Sequence, residues 1–478
     1  MGVLSQLEPK GVFGFFETIC SIPHGSGNTD AIAEYIVSFA AERGFECSRD
    51  EANNVLVTVP ASAGREGDET IILQAHTDMV CEKDEGVDFD FTKDALRLVV
   101  DGDTLRAEGT TLGADDGISV AMMLALADDA ALSHPKLELL FTTDEEIGML
   151  GAFAFDCSKL TGHRLINLDS EYEGVLMCSC AGGANAYTTL PVKRERAELE
   201  LLELSIGGLK SGHSGVEIDK GRANSNVLMA RLLRGLAAKA DIRLVGLEGG
   251  ARETAIAAST VAVVGAASGA DALAALAEEF GAQLRREYAT AEPDMSVSAA
   301  VSGKRSVDAL TAADTARALA LLQALPDGVQ AMSVDMPGLV QTSLNFGLVN
   351  LRDAELWCAN TVRSSMTSQK QWILDKICAA AELAGGSTEI SGSYPGWSYN
   401  PRSAVKEAIL NAYRELFGRE ASVEAVHAGI ECGLFADSIP ELDCVSIGPD
   451  MADVHTPREH LSIASAARTY ELLKAVLA

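Results

Sequence analysis

Three buried-strand patterns in the first third of the chain run directly into acidic or imidazole side chains. The strand segments are TIILQAH, LELLFTTD and LINL. The groups that end or follow them are His76 with Asp78, Glu145 with Glu146, and Asp169. Alternating strand and helix patterns indicate an α/β fold, with a mostly parallel sheet and helices on both faces. The carboxyl ends of parallel strands share one edge of a sheet, so these side chains should converge there.

Length and a change of pattern predict a second domain. The 478 residues exceed the roughly 250–300 that one hydrophobic core usually supports. After Gly182 and Gly183 polar and apolar residues alternate, as in half-exposed antiparallel strands, and amphipathic helix patterns follow. Beyond the turn cluster SGSYPGWSYNP the helix and strand pattern of the first part returns. We therefore predict one domain over residues 1–182 and 394–478 and an inserted α+β domain over residues 183–393.

The net charge and the amino-acid composition argue against nucleic acids and membranes as partners. The formal net charge of −31 and the sequence pI of about 4.6 argue against a nucleic-acid partner, because phosphate backbones select basic surfaces. No uncharged apolar stretch approaches the roughly 20 residues of a membrane span, so a membrane partner is not expected. The opening residues lack the pattern of a secretory signal, and the ten cysteines are therefore expected to stay reduced in the cytosol.

Two further segments contain groups of the same chemical kind. GADDG has Asp115 and Asp116 at the start of a predicted helix, where acids also serve as caps that complement the helix dipole. MADVHTPREHLS has His455, which alone could be an ordinary loop histidine. Together with the groups at the strand ends, they form a set of His, Asp and Glu ligands that suits zinc. The set contains enough carboxylates to bridge two ions.

The flanking motifs resemble those of the aminoacyl-histidine dipeptidases, also called cytosolic non-specific dipeptidases. HTD, GADDG, DEE and the terminal histidine occur in the wider class of di-zinc peptidases and deacylases. GLKSGHSG, HAGIECGLF and DVHTPREHLSI are narrower motifs and point to the dipeptidases. The resemblance covers nearly the whole chain. It implies a cytoplasmic homodimer that hydrolyses short peptides, Xaa-His dipeptides among them. It also implies that the inserted domain forms a lid and contributes to dimerisation.

The resemblance also implies a role for each group at the sheet edge. It implies two Zn²⁺ ions per chain, for which Mn²⁺ or Co²⁺ could substitute. The implied ligands are His76 and Asp169 for one ion, Glu146 and His455 for the other, and Asp115 for both. Glu145 would be the general base and Asp78 would support His76. The Asp115–Asp116 peptide bond would be cis.

Candidate substrate contacts lie in three further motifs. His213 in KSGHSG is a candidate donor to the oxyanion, in its own or a partner's active site, with a turn histidine as the alternative. Arg363 in NTVRSS is either a bidentate clamp for a C-terminal carboxylate or a surface arginine at a strand edge. By resemblance, His427 in HAGIECG lines the same pocket. Thr254, in the predicted strand TAIAASTVAVVG, replaces the family's substrate-contacting Asn, which would alter that contact and leave the metal ligands intact.

Three functions of different classes fit these residues. The first is a dipeptidase, the second is a related deacylase or carboxypeptidase that acts on N-acyl amino acids, and the third is a metal-binding protein without hydrolytic activity. Glu145 argues against the third, because it lies beside the ligand set and no metal needs it. The first two share the ligands and differ in whether the substrate must have a free amino terminus.

Overall fold

A computed structural model describes residues 2–478 of the chain. These residues divide into two units. The first unit comprises residues 2–179, 397–425 and 430–478, and the second comprises residues 180–396 and 426–429. Within residues 2–478, no helix combines the length and the apolar character needed to cross a bilayer.

Helices and strands follow one another in three stretches of chain. The first stretch contains α1 (Lys10–Ile19), α2 (Asp30–Arg43), β1 (Glu46–Arg49), β2 (Val55–Val59), β3 (Ile71–His76), β4 (Leu98–Asp101), β5 (Thr104–Ala107), α3 (Ala114–Asp128), β6 (Leu137–Thr142), α4 (Leu150–Ala154), β7 (Arg164–Asn167) and β8 (Val175–Cys180). The second contains β9 (Gly182–Pro191), β10 (Arg194–Gly207), α5 (Ser225–Ala237), β11 (Ile242–Gly249), β12 (Thr260–Ala266), α6 (Ala270–Glu287), β13 (Ser296–Leu310), α7 (Ala312–Ala324), β14 (Gly328–Met332), β15 (Val340–Leu351), β16 (Glu355–Ser364), α8 (Thr367–Ala384) and β17 (Ser387–Tyr394). The third contains α9 (Ala404–Phe417), β18 (Ser422–Val426), α10 (Cys432–Ser438), β19 (Asp443–Ser446), β20 (Met451–Ala452), β21 (His460–Ser462) and α11 (Ile463–Leu477).

The strands that end in acidic and imidazole groups lie side by side in an eight-stranded sheet of order β1-β2-β6-β3-β7-β19-β8-β18. The pairs β6–β3, β3–β7 and β7–β19 are parallel, which confirms the predicted arrangement for the centre of the sheet. In this register His76 aligns with Thr142, and Gln74 aligns with Asn167. The segments that follow β3, β6 and β7 therefore leave the sheet at the same edge.

The borders of this sheet are antiparallel. The pairs β1–β2 and β2–β6 are antiparallel, and so is β19–β8. The link from Arg49 to Val55 is a short turn, which permits only an antiparallel pair because a parallel connection needs a longer crossover. A separate four-stranded sheet in the order β20-β21-β5-β4 joins the last part of the chain to the loop before α3.

Both faces of the central strands are covered. Every residue of β6 is buried, and in β3 only Ile71 is partly exposed. Leu73 and Ala75 pack in the core that also contains residues of α1, α2 and α3. Gln74 points to the opposite face and donates a hydrogen bond to Glu431, just before α10. Coverage on both faces explains why these strands consist of nearly continuous apolar runs.

The second unit contains a nine-stranded sheet in the order β13-β10-β12-β11-β15-β16-β9-β17, with β14 beside β15. Its strands pair in antiparallel fashion, as the alternating pattern after Gly183 predicts. Helices α5, α6, α7 and α8 contribute apolar residues to one core with this sheet. The unit therefore has the α+β character predicted for the inserted part of the chain.

Three segments differ from the structure that their sequences predict. SGSY, predicted as part of a turn cluster, forms the end of β17, an edge strand whose largely exposed residues can be small and polar. Residues 254–259, predicted to be strand, precede β12, and only an isolated bridge joins Ala255 to His213. Residues 426–429 belong to the second unit, where the N–H of Ala181 donates to the carbonyls of Val426 and Ala428.

Candidate metal centre

An irregular start of helix α3 places Asp115 and Asp116 at the end of strand β3. Gly113, just before the helix, has a φ of 66°, in the left-handed region that favours glycine. The two aspartates have non-helical backbone angles. The peptide bond between them is cis, as the family resemblance implies. The backbone N–H of His76 donates to Oδ2 of Asp116 at 3.2 Å, which ties the loop to the strand end.

Asp115 lies between two histidines from distant parts of the chain. Its Oδ1 atom is 3.1 Å from Nε2 of His76, and its Oδ2 atom is 3.2 Å from Nε2 of His455. Oδ1 of Asp169 is 3.7 Å from the same His76 nitrogen, and Oε2 of Glu146 is 3.0 Å from the same His455 nitrogen. The structure thus brings the five predicted ligands together in two groups that share Asp115.

The donor set fits divalent cations. Three sets of side chains have ligand atoms within 4.8 Å of one another. They are His76 with Asp116 and Asp169, His76 with Glu145 and Glu146, and Asp115 with Glu146 and His455. In the part of the chain that the structure describes, Oε1 of Glu146 and Oδ1 of Asp116 are buried without a hydrogen-bond partner. Buried oxygens without donors are suited to coordinate a cation.

The electrostatics of the cluster also favour a cation. Burial, reinforced by neighbouring carboxylates, raises the pKa of Glu145 to about 9 and that of Asp169 to about 7. Burial and the charge of Asp169 raise the pKa of Asp116 well above its ordinary value. Hydrogen bonds to two carboxylates raise the pKa of His455 to about 10. So many buried carboxylates can all be ionised only beside additional positive charge.

Asp78 connects His76 to the segment that contains the paired glutamates. Its Oδ1 is 3.4 Å from Nδ1 of His76, which is also 3.0 Å from the Asp78 carbonyl oxygen. Its carboxylate accepts hydrogen bonds from Ser26 Oγ at 2.8 Å and from the backbone N–H groups of Glu145 at 3.1 Å and Glu146 at 3.4 Å. Burial alone would raise the pKa of Asp78, but these hydrogen bonds and His76 lower it. The Asp78 carboxylate thus contacts the imidazole of His76, and its lowered pKa favours the ionised form.

Three predicted substrate contacts of the second unit meet around Gly215. A Cβ atom at this position would lie 2.5 Å from the carbonyl oxygen of His427, 3.0 Å from Cε1 of His213 and 3.2 Å from Nε of Arg363. Only glycine fits among these three groups. His427 is held in turn by Ser343, whose Oγ is 2.7 Å from its Nε2 atom. We refer to His213, Arg363 and His427 as the Gly215 cluster.

Arg363 is a buried residue of a central strand. Strand β16 pairs with β15 on one side and with β9 on the other, and Arg363 is only 8% exposed. The alternative of a surface arginine at a strand edge is therefore wrong. Nη1 donates to the hydroxyl of Tyr394 at 3.2 Å, whereas buried Nε has no partner within residues 2–478. A buried guanidinium with an unused donor is suited to bind an anionic ligand.

The loop around Thr254 supports His213 through main-chain groups. The Thr254 carbonyl accepts a hydrogen bond from the N–H of Ser214 at 2.9 Å. The side-chain amide of Asn345 donates to the carbonyls of Glu253 at 3.0 Å and Ala255 at 2.9 Å. The Thr254 residue is itself exposed. This main-chain support does not depend on which side chain stands at position 254.

The structure adds three acids to the site that were not predicted to have a role in it. The sequence predicts Asp116 only as a helix cap and as one side of a cis peptide bond. Glu431 lies inside the HAGIECG motif, is fully buried, and accepts hydrogen bonds from Gln74 and from Thr142. Glu459 accepts hydrogen bonds from the backbone N–H groups of residues 112–115. All three lie inside motifs of the sequence analysis, but the motifs do not show which groups these acids contact.

The chain is similar to known peptidases over nearly its full length. Residues 72–478 match peptidase family M20/M25/M40. The cytosol non-specific dipeptidase of Escherichia coli (strain K12) is 40% identical over 483 residues, which is 100% of this chain and 99% of that protein. The crystal structure of aminoacylhistidine dipeptidase from Vibrio alginolyticus matches with a TM-score of 0.95 and 37% identity, covering 99% of this chain and 97% of that one.

More distant structures share the fold. The aminopeptidase PepT from Bacillus cereus matches with a TM-score of 0.58 at 15% identity, over 98% of both chains. The predicted resemblance to the dipeptidases is confirmed over the full length. The chain belongs to peptidase family M20/M25/M40.

Proposed function

We propose that this protein is a cytosolic metallopeptidase that hydrolyses dipeptides, Xaa-His dipeptides among them. The observation that carries the proposal is the position of Asp115, with one carboxylate oxygen 3.1 Å from His76 and the other 3.2 Å from His455. A carboxylate between two groups of ligands is the arrangement that a pair of metal ions needs. The names of the two full-length relatives, a cytosol non-specific dipeptidase and an aminoacylhistidine dipeptidase, support the substrate class and the compartment.

Two divalent cations, Zn²⁺ by preference, complete the proposed centre. His76 and Asp169 would hold one ion, Glu146 and His455 would hold the other, and Asp115 would hold both. Bound there, the ions would polarise the peptide carbonyl and lower the pKa of a water molecule. Asp78 keeps His76 oriented for this role through the contact between its Oδ1 and the Nδ1 atom of that imidazole, at 3.4 Å.

The chain's own groups would move the protons and bind the substrate. Glu145, whose carboxylate lies within 4.8 Å of the ligand atoms of His76 and Glu146, takes a proton from the attacking water and returns it to the leaving amine. His213 donates a hydrogen bond to the oxyanion. Arg363 binds the C-terminal carboxylate of the dipeptide, and His427 lines that pocket.

The Glu145→Gln variant tests the catalytic part of the proposal. Glutamine has nearly the same shape but cannot accept the proton, so we expect turnover of dipeptides to fall by at least about 100-fold. Metal content should stay at two ions per chain, because none of the five proposed ligands changes. Metal analysis and dipeptide assays on the same preparations measure both quantities. Wild-type turnover in a fully loaded variant would overturn the role of Glu145 as general base.

A panel of substrates tests the substrate class. Matched Xaa-His dipeptides, their N-acetylated forms and simple N-acetyl amino acids should be assayed side by side. A dipeptidase should require the free amino terminus, whereas a deacylase or carboxypeptidase should turn over the acetylated compounds faster. The second outcome would replace the proposed substrate class and leave the metal centre unchanged.

A homodimer is the assembly that we propose, since the family resemblance implies it. The molar mass in solution tests it independently of catalysis. Light scattering should give about twice the 50.2 kDa of one chain. A mass of one chain at micromolar concentration would contradict the dimer.

A further inference from the structure

Glu459 accepts hydrogen bonds from four consecutive backbone N–H groups. Oε2 accepts from Leu112 at 2.7 Å and from Gly113 at 3.0 Å. Oε1 accepts from Ala114 at 2.8 Å and from Asp115 at 3.3 Å. The Glu459 residue is 2% exposed, so protein groups and not bulk water surround this carboxylate.

Three of these N–H groups, those of Gly113, Ala114 and Asp115, are among the groups that the start of helix α3 leaves without helical partners, and Leu112 directly precedes the N-cap. Gly113, at the N-cap of α3, makes no side-chain capping bond. A buried anion at this position is stabilised by the free N–H groups and by the helix dipole. Glu459 therefore caps α3 from the opposite end of the sequence, and the cap includes the backbone of Asp115 itself.

Glu459 also belongs to the segment that contains His455. The N–H of Glu459 donates to the carbonyl of Thr456 at 3.0 Å, which closes a turn directly after His455. Strand β21 begins at the next residue, His460, and pairs with β5 and with β20. The segment is thus anchored on both sides, and the Glu459 carboxylate fixes the backbone of Asp115 relative to His455.

We propose that Glu459 is a positioning residue of the metal centre, which holds the shared carboxylate of Asp115 in register with His455 and His76. This inference rests on the proposed function, because it concerns the bridging role of Asp115. A carboxylate suits this position, since its four hydrogen-bond partners are all N–H donors. A glutamine would direct its own NH₂ group at some of these donors and leave them unpaired.

Glu138 offers a matched control in the same unit. It is a buried glutamate too, 1% exposed, and it also accepts hydrogen bonds from consecutive backbone N–H groups, those of Thr161 and Gly162. It lies at the start of β6, whereas the metal ligands follow the end of that strand. Replacing Glu138 shows how much stability is lost when a buried carboxylate that binds backbone N–H groups is removed away from the metal ligands.

The experiment compares Glu459→Gln with Glu138→Gln in the full-length protein. Each protein is stripped of metal and titrated with Zn²⁺ in the presence of a competing chelator, and the unfolding temperature is recorded with and without Zn²⁺. For Glu459→Gln we expect metal affinity to fall by about 10- to 100-fold, the range typical for partners that orient metal ligands. We also expect a smaller rise of the unfolding temperature on adding Zn²⁺ and a lower kcat with little change in KM. Glu138→Gln should keep wild-type affinity and the wild-type response to Zn²⁺.

Two results would overturn the inference. One is wild-type Zn²⁺ affinity in Glu459→Gln, and the other is an equal loss of affinity in both variants. If Glu459→Gln does not fold, the same Zn²⁺ titration is made on Glu459→Asp. This variant keeps the negative charge, but its side chain is shorter by one methylene group. Reduced affinity in a folded Glu459→Asp supports the inference, and wild-type affinity overturns it. Failure of the wild-type protein to bind two Zn²⁺ ions would instead refute the proposed function.

Discussion

The backbone N–H of Gly215 donates a hydrogen bond of 3.1 Å to Nδ1 of His213. The N–H of Val216 points at the same nitrogen at 3.3 Å. Nδ1 is therefore an acceptor, and in the neutral ring the proton must reside on Nε2. Burial and the positive charge of Arg363 lower the pKa of His213, which favours this neutral form near pH 7. The main chain thus prepares His213 to act as a hydrogen-bond donor through Nε2.

Replacing His213 by alanine tests this role. Loss of one oxyanion donor should lower kcat by about 10²- to 10³-fold, while KM changes much less, because the donor acts on charge that develops in the transition state. Metal content should not change. His163→Ala, at an exposed histidine of the first unit, is the control and should keep wild-type kinetics. A variant that raises KM and leaves kcat intact would show that His213 binds the ground state instead.

The Gly215→Ala variant should disturb the whole Gly215 cluster at once. The added methyl would lie 2.5 Å from the His427 carbonyl oxygen and would also press on His213 and Arg363. We expect kcat/KM to fall at least as far as in His213→Ala. Gly235→Ala is the matched control, because Gly235 lies inside α5 with no atom within 4 Å of its added Cβ. It should stabilise the protein by roughly 0.5–1 kcal/mol and keep full activity. Normal activity of Gly215→Ala would contradict the tight packing.

The Arg363→Lys variant should lose preference for a free C-terminal carboxylate. Lysine keeps the charge but lacks the planar fork that binds a carboxylate with two hydrogen bonds. We expect kcat/KM for free dipeptides to fall by about 10- to 100-fold, the equivalent of one hydrogen bond to a charged group. Dipeptide amides should be affected much less, because they lack the carboxylate. An equal loss on acids and amides would mean that Arg363 acts through folding and not through the carboxylate.

The sequence predicts which side chains meet at the edge of the first sheet, because each of them directly ends or follows a strand pattern. His76, Asp78, Glu145 and Asp169 stand directly at or after short apolar runs, and parallel pairing carries them to one edge. The spacing in GADDG does not reveal the non-helical start of α3. The backbone at that point binds Glu459, which comes from the far end of the chain, through its N–H groups. Glu459 stands inside the motif DVHTPREHLSI, but its contact with distant main-chain groups does not depend on their residue types and cannot be predicted from them.

The Gly215 cluster was less predictable for a related reason. The burial of Arg363 depends on strands β9 and β15, which flank it in the folded sheet. His427 lies in a short segment that joins the second unit, although the residues before and after it belong to the first. The need for glycine at position 215 becomes clear only when the positions of His213, Arg363 and His427 around it are known. Chemistry suggests His213 and Arg363, the resemblance adds His427, and the packing around Gly215 shows that the three meet.

The buried imidazole of His427 should make the stability of the folded protein depend on pH. Burial and the charge of Arg363 lower its pKa to about 4, against about 6.5 in an unfolded chain. Above pH 6.5 the ring is neutral in both states. As the pH falls from 6.5 towards 4, only the unfolded chain takes up the proton, so the folded state loses stability, by up to about 3 kcal/mol. At pH 5 the loss should be about 2 kcal/mol.

His427→Gln removes this contribution, so its stability should fall less between pH 7 and pH 5 than that of the wild type. Urea unfolding of metal-free protein measures the difference, and the remaining acids titrate alike in both proteins. Trp357 and Trp372 lie in the second unit and Trp397 lies in the first, so Trp397→Phe in both proteins confines tryptophan fluorescence to the second unit. Equal losses of stability in the two proteins would show that His427 is not held neutral by its surroundings. A smaller loss in the variant would confirm that Arg363 and burial keep this imidazole uncharged.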